Sequence, residues 1–312
     1  MRVFILGAGF SRCCEYPSGK ELFKTIYGVI DSGGWKYFEK YKKICLEALS
    51  DLRVDISKRE EVYFDELVLK IKEFSEVGKD SKGIYILLKI VLTETARSYF
   101  YGLLKEKSQK IKPVLNFVKG LKKNVKLPDS DIIVSFNWDL LVEYAIQKIG
   151  HAYGYDLSEG DVPILKPHGS INWRRVANYE GIRIFDNFED YNSEHRVEDA
   201  QLMIMPYDKE RKQIRKLQKV QEQVEVVLSQ TNEFIIIGYS MPDYDAYVLD
   251  IFKKNILPRI KKSLEPSQII IVDPYQSVIN RYKALFSNDI KVVPCNFENT
   301  IYASDEWANT QN

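Results

Sequence analysis

Apolar runs of strand length recur along the chain, and four of them end in small or polar residues. Val3-Phe4-Ile5-Leu6 runs into Gly7-Ala8-Gly9-Phe10-Ser11, and Asp131-Ile132-Ile133-Val134-Ser135 into Phe136-Asn137-Trp138-Asp139. The run 162–166 leads into Pro167-His168-Gly169-Ser170-Ile171-Asn172-Trp173, and Phe234-Ile235-Ile236-Ile237 into Gly238-Tyr239-Ser240. Short runs of this kind, apolar on both faces, read as buried parallel strands. Further strands are expected at 202–205 and 268–272, with an edge strand at 290–293. Between them, helical spacing falls at 140–149, 209–228, 245–262 (interrupted near Pro258) and 277–286. This alternation predicts an α/β chain with a doubly wound, mostly parallel, Rossmann-like sheet. In such a sheet, residues at successive strand ends build one site along the carboxyl edge.

One stretch breaks the alternation. From about residue 18 to 125 the spacing is helical throughout, with stripes at Ile44, Leu46, Leu49 and Leu52, then Val62, Phe64, Leu67, Leu69 and Ile71, and a long apolar segment at 84–104. A parallel crossover needs only about a dozen residues, so roughly 110 residues between the first two strands imply an insertion. The expected organisation is a Rossmann-like domain from 1–17 and 126–312, with 18–125 as an inserted helical subdomain. We expect this insertion to pack over the mouth of the carboxyl-edge site and to mediate assembly. Its wide apolar faces ask for burial, and an inert helical cap is the plainer alternative. Residues 178–197 read as a surface excursion and 303–312 as a frayed end.

Composition narrows the partners. In 312 residues, 45 basic side chains nearly balance 44 acidic ones. No global field therefore draws the chain to nucleic acid or to an anionic membrane. No apolar stretch approaches the roughly 20 residues that span a bilayer. The start of the chain lacks a signal-like segment, so a cytoplasmic location is expected. Cys13, Cys14, Cys45 and Cys295 form no C-x-x-C pair, so neither a zinc ribbon nor a disulfide framework is expected. The adjacent Cys13 and Cys14 are read as small buried residues, with reactive thiols as the alternative.

The strand ends carry the candidate chemistry. At Gly7 and Gly9 a side chain would block the approach of a phosphate to backbone amides. The third glycine of the dinucleotide fingerprint is replaced by Arg12, so a tight turn without a ligand stays open. Asn137 and Asp139 sit one residue apart at a strand end. An amide beside a carboxylate suits a sugar whose ring develops positive charge, and a helix cap is the alternative. His168, between Pro167 and Gly169, is placed to accept a proton from a ribose hydroxyl or a water; a turn histidine satisfied by backbone is the alternative. Gly238 allows close approach, Ser240 offers a short hydroxyl, and Asp245 is a candidate cap. Asp273 stands where an acidic residue binds a ribose hydroxyl, or forms a turn with Pro274.

Taken in order, Gly7-Ala8-Gly9-Phe10-Ser11, Asn137-Trp138-Asp139, His168-Gly169 and Gly238-Tyr239-Ser240 resemble the sirtuin superfamily. Ser135 to Asp139, Pro167 to Trp173 and Ile237-Gly238-Tyr239-Ser240-Met241-Pro242-Asp243 are more closely similar to the sirtuin-like domains of bacterial antiphage defence proteins, which degrade NAD rather than deacylate protein. Two departures favour that branch. The chain cannot supply a four-cysteine zinc ribbon, and Tyr16-Pro17-Ser18-Gly19-Lys20 stands where deacylases carry Asp-Phe-Arg.

The resemblance implies an NAD glycohydrolase that yields nicotinamide and ADP-ribose, with NAD as substrate and no zinc. It implies Asn137, His168 and Asp139 as catalytic residues. Gly7, Ala8, Gly9, Phe10 and Ser11 would line the pyrophosphate and ribose. Gly238, Tyr239 and Ser240, with Asp273, would face the adenosine half. A gated toxic effector is implied, acting as a homo-oligomer or beside an ATPase, helicase or Argonaute partner. An NAD or ADP-ribose sensor, an ADP-ribosyltransferase and an inactive scaffold remain the alternatives.

Overall fold

The computed structural model describes residues 1–18, 21, 22, 24, 25, 28, 50, 99–104, 110–123, 129–175, 182–184, 201–203, 215–243, 245–262, 268–287 and 290–310. The chain divides into two units, one of Met1–Tyr16, Lys107–Ser170 and Glu210–Asn312, the other of Pro17–Glu106 and Ile171–Lys209. In chain order the strands are β1 Arg2–Leu6, β2 Asp131–Ser135, β3 Tyr153–Gly154, β4 Val162–Leu165, β5 Gly169–Arg175, β6 Ile182–Ile184, β7 Gln201–Met203, β8 Glu233–Ile237, β9 Gln268–Val272 and β10 Lys291–Val293. The helices named here are α1 Ala8–Ser11, α2 Lys112–Lys119, α3 Leu141–Lys148, α4 Arg215–Gln230, α5 Ala246–Ile251, α6 Leu257–Lys262, α7 Gln276–Phe286 and α8 Asp305–Ala308.

The first unit is built on a seven-stranded sheet in the order β10-β9-β8-β1-β2-β4-β3, with every neighbouring pair parallel. This is the doubly wound, Rossmann-like α/β sheet that the apolar runs predict. Leaving out the two-residue β3, the order from β4 to β10 reads third, second, first, fourth, fifth, sixth, the order of dinucleotide folds. The chain leaves β1 towards β2 on one side and leaves β8 towards β9 on the other. The direction of winding therefore reverses between β1 and β8, the position where open sheets form a crevice. Val3, Phe4, Ile5 and Leu6 of β1 and Phe234 to Ile237 of β8 are fully buried, as parallel strands covered on both faces must be.

The structure corrects several expectations. The strand expected at 202–205 is β7, and it lies outside the parallel sheet in a three-stranded sheet ordered β6-β5-β7, where β5 and β6 are antiparallel. β6 falls within the expected surface excursion, whose other residues lie outside the described ones. The helix expected to break near Pro258 instead loosens one turn earlier, into a π-helical turn at Phe252–Ile256. Proline has no amide hydrogen and its ring crowds the carbonyl four residues back, here Lys254, so the strain appears upstream.

The end expected to fray is anchored. A 3-10 turn at Ile301–Ala303 leads into α8, where Ser304 Oγ accepts the Trp307 amide at 3.1 Å. Trp307 is buried, donates its indole N–H to Phe117 O at 2.9 Å and packs edge-on to Phe4 at 6.0 Å. Ser304, Asp305 and Glu306 make this end look solvated in sequence; one tryptophan reverses that. The helical stripes expected at 44–52, 62–71 and 84–104 lie outside the described residues, apart from residue 50 and residues 99–104, which are helical. Among the described residues no helix is long and apolar enough to cross a membrane.

Candidate functional site at the carboxyl edge

Two glycine turns meet at the point where the winding reverses. The Gly7 amide donates to Ile237 O at 3.0 Å, Gly9 N to Gly238 O at 2.8 Å, and Phe10 N to Gly7 O at 2.9 Å. A Cβ at Gly9 would stand 2.6 Å from Gly238 Cα, and one at Gly7 would strike Tyr239. Gly238 itself has φ +61°, a left-handed conformation that favours glycine. The glycines are therefore required by the contact between the turns, and three of the loop's amides already donate within the protein. α1 is only four residues long and gives way to a 3-10 turn at Arg12–Cys14, so no extended helix dipole stands behind the glycine loop. Phe10 is fully buried and packs on Phe117 and Phe297 at ring distances of 5.3 and 4.4 Å. Ala8 and Gly9 remain half-exposed.

Next along the edge, the turn after β2 reaches across β1. Half-buried Asn137 donates through Nδ2 to Gly7 O at 2.9 Å and to Ser11 Oγ at 3.1 Å. Ser11 in turn donates to Asp139 Oδ2 at 2.8 Å, while Asp139 Oδ1 accepts the Leu141 amide at 3.0 Å at the start of α3. The helix-cap alternative thus holds in part for Asp139 and not for Asn137. Burial pushes the Asp139 carboxyl above its ordinary value, against the pull of the Lys166 charge, the Leu141 amide and the Ser11 hydroxyl.

Under this turn lies a group that sequence reasoning left out. Lys166 directly follows β4 as a fully buried ammonium, donating to Asp139 O at 2.6 Å, Glu143 Oε1 at 2.9 Å and Ser170 Oγ at 2.9 Å, with Trp138 O farther off at 3.4 Å. Tyr155 adds a hydroxyl donor to Glu143 Oε1 at 3.1 Å. Three donated hydrogen bonds use the full capacity of an ammonium group. They tie the turn after β2 to the turn after β4. The signal was present in sequence, because a lysine ending an apolar parallel strand must be paired to be buried.

His168 occupies that second turn. Its carbonyl accepts the Trp138 indole N–H at 3.2 Å, and Pro167 O accepts Gln221 Nε2 from α4 at 3.4 Å. The imidazole is buried, lies 5.0 Å from the Phe136 ring, and brings Nε2 to 3.1 Å from Asp245 Oδ2 in an ion-pair geometry without an aligned hydrogen bond. Tyr239 stacks on Phe136 at 4.6 Å and donates its hydroxyl to the same Asp245 oxygen at 2.8 Å. Ser240 is exposed, and its carbonyl is held by Arg281 at 2.7 Å. Asp273 is buried at the end of β9, with Oδ1 accepting the Tyr275 amide at 2.9 Å, which matches the turn alternative. Burial raises its carboxyl too.

The structure thus brings Asn137, Asp139, Ser11, Gly7, Tyr239 and His168 into one connected set. Asp273 shares the edge and makes no hydrogen bond to that set; its charge bears instead on Tyr282, whose hydroxyl donates to Tyr239 O at 2.7 Å. Cys13 and Cys14 place their sulfurs 3.7 Å apart, and the thiol contact together with burial pushes the Cys13 thiol up, away from the reactive thiolate. Cys45 lies outside the described residues. A groove of about 450 Å³ sits at the opposite, amino end of the strands, lined by Asn116, Lys119, Lys123 and His151 among others. Three of those side chains already have partners: Lys123 with Lys119 O, His151 with Asp161, Asn116 with Ala303 O.

Strand order and the turns at one edge define a Rossmann-like α/β protein with a polar centre at its carboxyl edge. No family model and no curated protein matches the chain. Among solved structures the chain is similar to one described as the basis for the mechanism and regulation of Sir2 enzymes, with a TM-score of 0.48 at 13% identity over 100% of this chain and 93% of that one. It is also similar to a mutant Sir2 homologue in complex with 2'-O-acetyl ADP ribose, with a TM-score of 0.47 at 10% identity over 99% of this chain and 91% of that one.

Proposed function

We propose that the carboxyl edge binds NAD and cleaves its nicotinamide–ribose bond, releasing nicotinamide and ADP-ribose. The observation that carries this reading is the reach of Asn137 across the β1 turn to Gly7 and Ser11, beside His168 on the neighbouring strand end. A sheet wound in dinucleotide order thereby has backbone turns on its β1–β8 side and proton-handling side chains on its β2–β4 side.

The chemistry asks little of the protein. Nicotinamide departs as a neutral molecule from a cationic ring, so the site must stabilise an oxocarbenium-like ribose and hold a water. Both amide hydrogens of Asn137 are used within the protein, which leaves Oδ1 as the acceptor for that water or a ribose hydroxyl. His168 takes the proton. Asp139 works at one remove, fixing Ser11 and through it Asn137. Ala8, Gly9, Gly238 and Ser240 offer the surface for pyrophosphate and adenosine, with Gly7, Phe10, Ser11 and Tyr239 anchoring the turns from below. Asp273 is assigned to the adenosine side.

Unrestrained NAD consumption would damage a host cell. We therefore assign the activity to a gated effector of antiphage defence, controlled by self-assembly or by an ATPase, helicase or Argonaute partner, with 18–125 as the helical insertion through which assembly acts. Product analysis tests the reading. Equal amounts of nicotinamide and free ADP-ribose are expected. ADP-ribose attached to protein would point to a transferase, and NAD binding without nicotinamide release, in every assembly state, to a sensor.

A further inference from the structure

Asp245 stands at the N-cap of α5, where an aspartate ordinarily accepts an amide of the first helical turn. Here the side chain makes no cap hydrogen bond, and only the backbone carbonyl serves the helix, accepting the Val248 and Leu249 amides at 3.0 and 3.2 Å. The carboxylate turns inward instead, with Oδ2 receiving the Tyr239 hydroxyl at 2.8 Å and standing 3.1 Å from His168 Nε2. Both the carboxylate and the imidazole are buried.

We propose that Asp245 is the positioning residue for His168, fixing which ring nitrogen carries the proton. The proposal rests on the reading of the edge as an NAD-cleaving site. The 3.1 Å approach is close without being an aligned hydrogen bond, and since a carboxylate only accepts, its charge favours the hydrogen on the nitrogen that faces it. His168 is held as the Nε2–H form, and Nδ1 is left as the ring's acceptor, the lone pair that takes a proton from a ribose hydroxyl or water. The rest of the contact set restrains both partners. The Phe136 ring lies 5.0 Å from the imidazole and 4.6 Å from the Tyr239 ring, and Tyr282 donates to Tyr239 O at 2.7 Å. The Trp138 indole holds the His168 carbonyl. Tyr239 thus aims Asp245, and Asp245 aims the imidazole.

The test uses the full-length chain labelled with ¹⁵N-histidine, read by NMR without ligand and followed by NAD turnover. The His168 ring is expected to be protonated at Nε2, with a downfield proton slow to exchange. Asp245→Ala should lose that proton signal and lower kcat for nicotinamide release by about 10²-fold, with KM for NAD little changed. Asp245→Asn keeps an acceptor oxygen without the charge; its Nε2 proton should remain, shifted upfield, with a smaller loss of kcat. If Asp245→Ala does not fold, the shift in Asp245→Asn carries the test. A wild-type ring protonated at Nδ1, or folded variants with unchanged ring signal and kcat, would overturn the proposal. The two readings separate, because the ring signal needs no turnover. Nicotinamide release with the wrong tautomer removes Asp245 alone, whereas the expected tautomer without nicotinamide release removes the NAD-cleaving reading.

Discussion

At the amino end of the parallel sheet, Arg2 forks onto both oxygens of Asp131 at 2.8 and 2.6 Å, Asp131 also accepts the Lys122 amide at 2.8 Å, and the guanidinium lies 4.9 Å from the Trp307 ring. The fork joins β1 to β2, the Lys122 amide joins β2 to the segment after α2, and the guanidinium meets the chain end at Trp307, so the fold alone accounts for them. At the carboxyl end, Lys166, Glu143, Asp139, Asn137, His168 and Asp245 gather around turns that the sheet's own hydrogen bonds already close. Burying polar groups is costly even when they are paired, and places where a chain departs from the simplest stable solution tend to be functional. The difference between the two ends separates charge that joins strands from charge that joins the turns after them, where the proposed site lies.

The largest effect should come from the buried ammonium. Lys166→Met leaves Glu143 as an uncompensated buried carboxylate and should cost about 3–5 kcal/mol in urea unfolding, with nicotinamide release falling in the remaining folded protein. Pairing it with Glu143→Leu should restore much of the stability without restoring activity. Trp307→Ala opens the amino end and should cost about 3–5 kcal/mol as well, yet leave release per folded molecule unchanged. Equal losses of activity in both variants would erase the contrast between the ends.

Gly9→Ala drives a Cβ to 2.6 Å from Gly238 Cα, so both glycine turns must shift. A loss of about 1–3 kcal/mol is expected, together with weaker NAD binding by calorimetry. The smallest effect is one of slope. Burial lets the folded state hold the Asp139 proton to higher pH than the unfolded chain does, so this residue's contribution to stability falls as pH rises from the ordinary aspartate value to the raised one. Thermal unfolding of Asp139→Asn across that interval should show a shallower fall with pH than the parent. An identical slope would mean that Lys166 fully compensates the buried charge.

Much of the parallel sheet was legible because fully buried strands leave continuous apolar runs, as in Phe234-Ile235-Ile236-Ile237. β3 was missed because two residues carry no pattern, and β5 because the run after His168 reads as a turn motif. The site was half legible. Asn137 and His168 stand out by chemistry and position, whereas Lys166, Glu143 and Ser170 become visible only when the turns after β2 and β4 are folded together. Asp245 was seen as a cap, since sequence shows that an aspartate precedes a helix but not where its carboxylate points. The anchored end of the chain turned on Trp307, one aromatic whose partners Phe4 and Phe117 lie far away in sequence.

Whether the carboxyl edge does chemistry on NAD through Asn137 and His168 is decided by turnover paired with binding in the wild type, Asn137→Ala and His168→Ala. Nicotinamide release is expected from the wild-type chain, alone or with its gating partner, and release about 10²–10⁴-fold slower in each variant, while NAD binding by calorimetry and the thermal midpoint stay close to the parent. Variants that are folded, bind NAD and release nicotinamide at the parent's rate would contradict it.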